Sequence, residues 1–163
     1  YKKSVKKLFD TKPGEIIKES GEVIGEHEGL MYYTYGQRQG LGIGGGFGRK
    51  EAPWYVSDKI IDENKLVVVQ GQDHRSLYHK HVKASKVNWI SGSPPDSNAD
   101  ITAKIRYRSL DTSCQINYDT QNVFIEFEIP KFAVAPGQSI VFYDQDICIG
   151  GGFIESRANK NIL

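Results

Sequence analysis

The segment Ile101-Thr102-Ala103-Lys104-Ile105-Arg106-Tyr107-Arg108 carries a cation at every second position from Lys104 onward. Written as a strand, its alternation places Thr102, Lys104, Arg106 and Arg108 on one face and Ile101, Ala103, Ile105 and Tyr107 on the other. Alternate strand residues lie about 6 to 7 Å apart, close to the phosphate spacing of one nucleic-acid strand, so the stripe suits a polyanionic backbone and salt-dependent binding. A solvated face of a soluble domain gives the same pattern, and spacing alone does not choose between the two. A second candidate is Gln138 in Ala135-Pro136-Gly137-Gln138-Ser139. Pro136 and Gly137 suit the two central positions of a type II turn, which sets beside it an amide able to donate and accept towards a sugar, a phosphate or a base edge.

Other chemistry is expected to be absent. His27, His74, His79 and His81 come without the helical His pair or Cys-x-x-Cys spacing of a metal site, so no metal is expected. Cys114 and Cys148 each sit among apolar strand residues, the setting of a small buried hydrophobe and not of an activated thiol. The runs Gly40 to Gly48 and Gly150 to Gly152 have no following helix and no Lys-Ser/Thr pair, and read as structural; the second marks a bulge or a close backbone approach. No nucleophile and base are paired, so no catalytic residue and no cofactor are assigned to this segment.

These residues need a scaffold that is mainly β. The chain has 163 residues, 39% hydrophobic and 25% charged, with 17 glycines and a formal charge of +1, enough to bury a core, and it has no apolar run of membrane length. It opens at Tyr1 without an initiator Met or a signal peptide, as a fragment or processed chain would, and its cysteine usage suits a reducing cytoplasm. Residues 1 to 10 read as a short amphipathic lead. Residues 16 to 24 read as a hairpin around Glu19 to Glu22, residues 27 to 46 as a short helix and a glycine-rich loop, and residues 54 to 71 as a second hairpin turning at Asp62 to Asn64. Apolar periodicity lapses from Gly71 to His81, dividing a small β domain over 1–78 from a second domain over 79–163. Strand-like pieces at 82–90, 101–108, 113–118, 122–128, 138–143 and 147–155 then predict a six-stranded antiparallel β-barrel, whose closure removes exposed edges.

The phrases GEHEGLMYYTYGQRQGLGIGG, PWYVSDKIIDENKLVVVQGQDH, KIRYRSLDTSC and FAVAPGQSIVFYDQDICIGGGFIES resemble the tRNA-specific 2-thiouridylase family, also described as tRNA methyltransferases, in order and from Lys12 to Ser156. The resemblance implies an enzyme that uses ATP and Mg to adenylate the C2 oxygen of the wobble uridine of tRNA and replaces it with sulfur from an enzyme persulfide. It implies three parts: an N-terminal ATP-pyrophosphatase domain with an SGGxDS loop and two catalytic cysteines, a small central β domain, and a C-terminal barrel resembling those of translation factors. This chain has no SGGxDS, and Cys114 and Cys148 match barrel positions outside the catalytic pair. The family's tRNA contacts fall on Arg106, Tyr107 and Gln138, with Lys104 and Arg108 beside them. Alternation turns Tyr107 inward, so its contact would use its backbone or hydroxyl. Gln37 and Arg38 are further candidates for an interface or for tRNA. The implied partners are tRNA, the N-terminal domain and a sulfur-relay protein; a module docking protein partners is the competing expectation.

Overall fold

A computed structural model describes residues 12–43, 52–106 and 109–159. The leading segment 1–10, the glycines from Gly44 to Gly48, and Tyr107 and Arg108 lie outside the described residues. The chain forms two compact units, Tyr1–Leu77 and Tyr78–Leu163.

In the first unit the two expected hairpins form. β1 (Gly14–Lys18) pairs antiparallel with β2 (Val23–His27), and β3 (Trp54–Ile60) with β4 (Lys65–Gln70). A parallel contact between β1 and β4, not foreseen from sequence, joins them into one sheet of order β2-β1-β4-β3. Leu66 to Val69 are all buried, as suits an interior strand covered on both faces. Leu66 and Val68 share a core with Ile16, Tyr33, Leu41 and Val56. The expected short helix is only a 3₁₀ turn, Leu30–Tyr32, and no α-helix occurs among the described residues. It stops at Tyr33, whose backbone is extended at φ −113° and ψ 144°, and Gly36 N then donates to Val56 O at 2.8 Å, joining the chain to β3.

The second unit is a closed six-stranded antiparallel barrel. Its strands are β5 (Tyr78–Trp89), β6 (Ile101–Lys104), β7 (Thr112–Tyr118), β8 (Asn122–Phe132), β9 (Ser139–Asp144) and β10 (Ile147–Ala158), closed in the order β10-β5-β8-β7-β6-β9. Inward residues alternate along β6, β7, β8 and β9, and Val82, Ala103, Ile125, Phe127, Ile140 and Phe142 are fully or nearly fully buried. β5, β8 and β10 run further than periodicity suggests, because pairing continues through polar residues: Tyr78 faces Phe132, and their rings stand 5.4 Å apart. β6 is shorter than expected. It ends at Lys104, and Arg106 and Ser109 close a turn instead.

The glycine run in β10 combines both features expected of it. Register shifts flank Gly150 and Gly151, and a Cβ on Gly150 would stand 2.6 Å from Asn88 O and 2.7 Å from the Trp89 ring. One shift, between Cys148 and Gly150 against β9, bears on the cysteines. Cys114 is buried as expected, but Cys148 is exposed, since a bulge transfers the residues before it to the other face.

Candidate nucleic-acid interface

Antiparallel pairing gathers the ends of β6, β8 and β10 and the starts of β5, β7 and β9 at one end of the barrel. The registers Ala103↔Thr112, Lys104↔Val141, Tyr78↔Phe132 and His81↔Ala158 fix this. Lys104, Arg106 and Gln138 therefore share one rim, although they come from separate stretches of sequence.

The cationic stripe does not persist as a straight strand. Ile105 is buried and Arg106 exposed, so alternation survives one step past β6. The Ser109 hydroxyl then donates to Arg106 O at 2.8 Å and accepts from Arg106 N at 3.2 Å, offering the backbone a partner other than a neighbouring strand. The Arg106 side chain turns to the segment after β8, where Nη2 donates to Ala133 O at 2.9 Å. A guanidinium carries five N–H donors, so this bond leaves others for an anion.

Gln138 lies on that same segment. Gly137 has φ 88° and Gln138 N donates to Ala135 O at 3.2 Å, as the expected turn at Pro136-Gly137 requires. The Gln138 Oε1 accepts from Ala135 N at 3.0 Å. This fixes which end of the amide is which and presents Nε2 as a donor. Arg106 and Gln138 are thus fastened to one backbone stretch, residues 133–138.

Two lysines near the rim are engaged within the fold. Lys104 lies 3.3 Å from Asp111, an ion pair that reduces its weight as a phosphate ligand. Lys131, whose pKa burial lowers, donates to Leu110 O at 3.2 Å and to the Thr112 hydroxyl at 2.5 Å. A separate open groove of about 980 Å³ beside β6, β7 and β8 is lined by Asp100, Glu126 and Glu128, and its Lys80 pairs with Glu126 at 3.1 Å. Its sign is wrong for a phosphate backbone. Among the described residues no group of three or more His, Cys, Asp or Glu side chains is placed to hold a metal ion.

His79 stands at the start of β5 with Nδ1 buried and unpartnered. Burial, reinforced by the nearby Arg157 guanidinium, lowers its pKa from the ordinary 6.5 to about 4. The folded chain thus refuses a proton that the unfolded chain accepts near 6.5, so stability is undiminished above that pH and falls as pH drops from about 6.5 towards 4. Urea midpoints across this window should fall less steeply for His79→Asn than for the unaltered chain; parallel curves would rule the effect out.

The barrel matches the family profile described as "aminomethyltransferase beta-barrel domain" over residues 79–154, and the smaller unit matches "tRNA methyl transferase PRC-barrel domain" over residues 2–70. The chain is 49% identical over 152 residues to the tRNA-specific 2-thiouridylase MnmA of Hahella chejuensis, covering 93% of this chain and 42% of that protein. It is 47% identical to its namesake in Thiobacillus denitrificans, covering 94% of this chain and 43% of that protein. The chain belongs to the tRNA-specific 2-thiouridylase family. It spans about 42% of the length of these 2-thiouridylases.

In this chain, Arg106 and Gln138 are brought together, Lys104 is paired with a carboxylate, and Tyr107 and Arg108 are outside the described residues. Gln37 and Arg38 lie in the first unit. The Gln37 amide is engaged locally, accepting from Thr34 N at 2.9 Å and donating to Gln39 O at 2.8 Å. Arg38 is exposed beside a hollow of about 410 Å³ lined by Leu41, Pro53 and Trp54. Sequence reasoning missed Arg157, whose Nη1 donates to Val134 O at 2.7 Å. It follows the expected strand 147–155 as a lone cation, and no sequence signal links it to residue 134.

Proposed function

We propose that this chain grips tRNA for an enzyme that replaces the C2 oxygen of the wobble uridine with sulfur, the ATP- and Mg-dependent activation being carried out by an N-terminal pyrophosphatase domain. The relatives' 2-thiouridylase names support the reaction class. The observation that carries the grip is the convergence of Arg106 and Gln138 on residues 133–138. In this reading Arg106 supplies a charge-assisted contact to a phosphate, and the Gln138 Nε2 donates to a phosphate or a 2′-hydroxyl. The setting is the cytoplasm, where tRNA is modified, and no helix among the described residues is long and apolar enough to cross a membrane.

Arg106→Ala should weaken binding of unfractionated tRNA about tenfold and lower the slope of log K against log salt by about 1, as loss of a single phosphate contact does. Anisotropy titrations over a salt series measure both. Affinity and slope unchanged by the substitution would refute the assignment of Arg106.

A second reading rests on Leu110, 85% exposed, and Ile129, 65% exposed. Such apolar side chains suit a protein partner, either the catalytic domain or a sulfur-relay protein. Partner capture that persists at high salt without RNA, and is lost in Leu110→Asp, distinguishes it from the first.

A further inference from the structure

We propose that Arg157 belongs to this rim as a positioning residue, clamping residues 133–135 together with Arg106 so that the following turn offers Gln138 in one orientation. The proposal rests on the reading of the rim as a tRNA-binding surface, and it assigns Arg157 a part that needs no contact with RNA.

Two arginines from different strand ends hold consecutive carbonyls. Arg106, just past β6, binds Ala133 O at 2.9 Å, and Arg157, near the end of β10, binds Val134 O at 2.7 Å. The segment needs holding because Ala133 sits in the left-handed region, at φ 54°. A residue with a Cβ adopts this region at a penalty of about 1 kcal/mol or more and stays there only when its surroundings fix it. Ala133 and Val134 are 1% and 0% exposed, so their backbone groups cannot turn to water instead.

β10 holds the far side of the same stretch. Gly137 N donates to Ile154 O at 2.7 Å, and Ile154 N donates to Gln138 O at 2.8 Å. Residues 133–138 are therefore fixed at Ala133 by Arg106, at Val134 by Arg157, and at Gly137 and Gln138 by the backbone of Ile154. The Gln138 amide inherits its direction from this frame through its bond to Ala135 N. Releasing Val134 O lets the left-handed Ala133 relax, and Ala135 N, the group that orients Gln138, moves with it. A functional side chain held by such supporting contacts binds through a geometry it does not set for itself.

The test uses the 163-residue chain, unfractionated tRNA and amide hydrogen exchange. Arg157→Ala should weaken tRNA binding about tenfold while leaving the salt slope unchanged, because no phosphate contact is lost. Gln138→Ala removes the amide donor without adding a negative charge beside the RNA backbone. Adding it to Arg157→Ala should lower affinity by less than about twofold further, as expected for coupled residues. Exchange at Gly137 and Gln138 should accelerate in Arg157→Ala, while Ile116 and Ile125 in the barrel wall keep their protection. Arg157→Lys, which retains a donor and the charge, should fall between the two and serves if the alanine variant does not fold. A salt slope lowered by about 1 would make Arg157 a direct phosphate ligand and overturn the proposal. Unchanged exchange at Gly137 and Gln138, or additive losses, would also overturn it. If the unaltered chain shows no salt-sensitive tRNA binding, the reading of the rim fails by itself, and the exchange measurement still decides whether the clamp exists.

Discussion

Gly150→Ala is expected to destabilise the barrel by about 3 kcal/mol, read as a lower urea midpoint with an unchanged denaturant slope. Gly150 pairs with Trp89 on one side and Phe142 on the other, and those two rings meet across it with centroids 5.2 Å apart. The aromatic pair covers the strand where the glycine has no side chain. A methyl group there would stand 2.7 Å from the Trp89 ring and 2.6 Å from Asn88 O. The carbonyl belongs to the neighbouring backbone and cannot rotate away as a flexible side chain would. Overpacking of this kind typically costs about 1 to 3 kcal/mol, and disturbing an aromatic pair adds about 0.5 to 1.5 kcal/mol. A loss below 1 kcal/mol would mean that β5 and β10 can part locally, contrary to this account. Because β10 also carries Ile154 and Arg157, the substitution should reduce tRNA binding as well.

His27→Ala should destabilise the first unit by a similar amount, about 3 kcal/mol. His27 is 1% exposed, and both of its ring nitrogens are engaged. Gly29 N donates to Nδ1 at 3.0 Å, which makes Nε2 the protonated nitrogen that donates to Asn64 O at 2.9 Å. Asn64 takes a left-handed conformation at φ 54° between β3 and β4, and its amide donates to Lys12 O and Pro13 O at 3.1 and 3.0 Å. The imidazole thus ties the end of β2 to the β3–β4 turn and, through Asn64, to the start of β1. Truncation strands Gly29 N–H and Asn64 C=O and opens a cavity beside Tyr33, whose ring lies edge-on 5.9 Å away. Thermal melting of the variant is the check. A midpoint within a degree of the unaltered chain's would show that water satisfies those groups without penalty.

Much of the scaffold was legible because burial imposes its period on the residues. Alternation marked β3 and β6, apolar runs between turn-rich stretches marked the other strands, and the turn at Pro136-Gly137 announced itself through residues with fixed dihedral preferences. The parallel pairing of β1 with β4 was not legible, since no local pattern encodes which hairpin edges meet. Cys148 departs from expectation because its apolar neighbours suggest an inward position, whereas the bulge ahead of Gly150 reverses the face. The strand leading to Arg106 is shorter than alternation suggests, because a serine three residues later competes for the backbone. Least legible was the support of the site. Ala133 carries no sequence mark of its left-handed backbone, and the bonds from Arg106 and Arg157 to successive carbonyls exist only once the barrel has closed.

The most direct test of the rim as a tRNA grip is site-specific photocrosslinking of the chain to unfractionated tRNA, with p-benzoylphenylalanine placed at position 138 in one preparation and at position 118 in another. Gln138 is on the rim with Arg106, whereas Tyr118, 51% exposed, ends β7 at the opposite end of the barrel. A crosslink from position 138 that fades as salt is raised is expected, with little or none from position 118. Equal crosslinking from both positions, or crosslinking from position 118 alone, would contradict it.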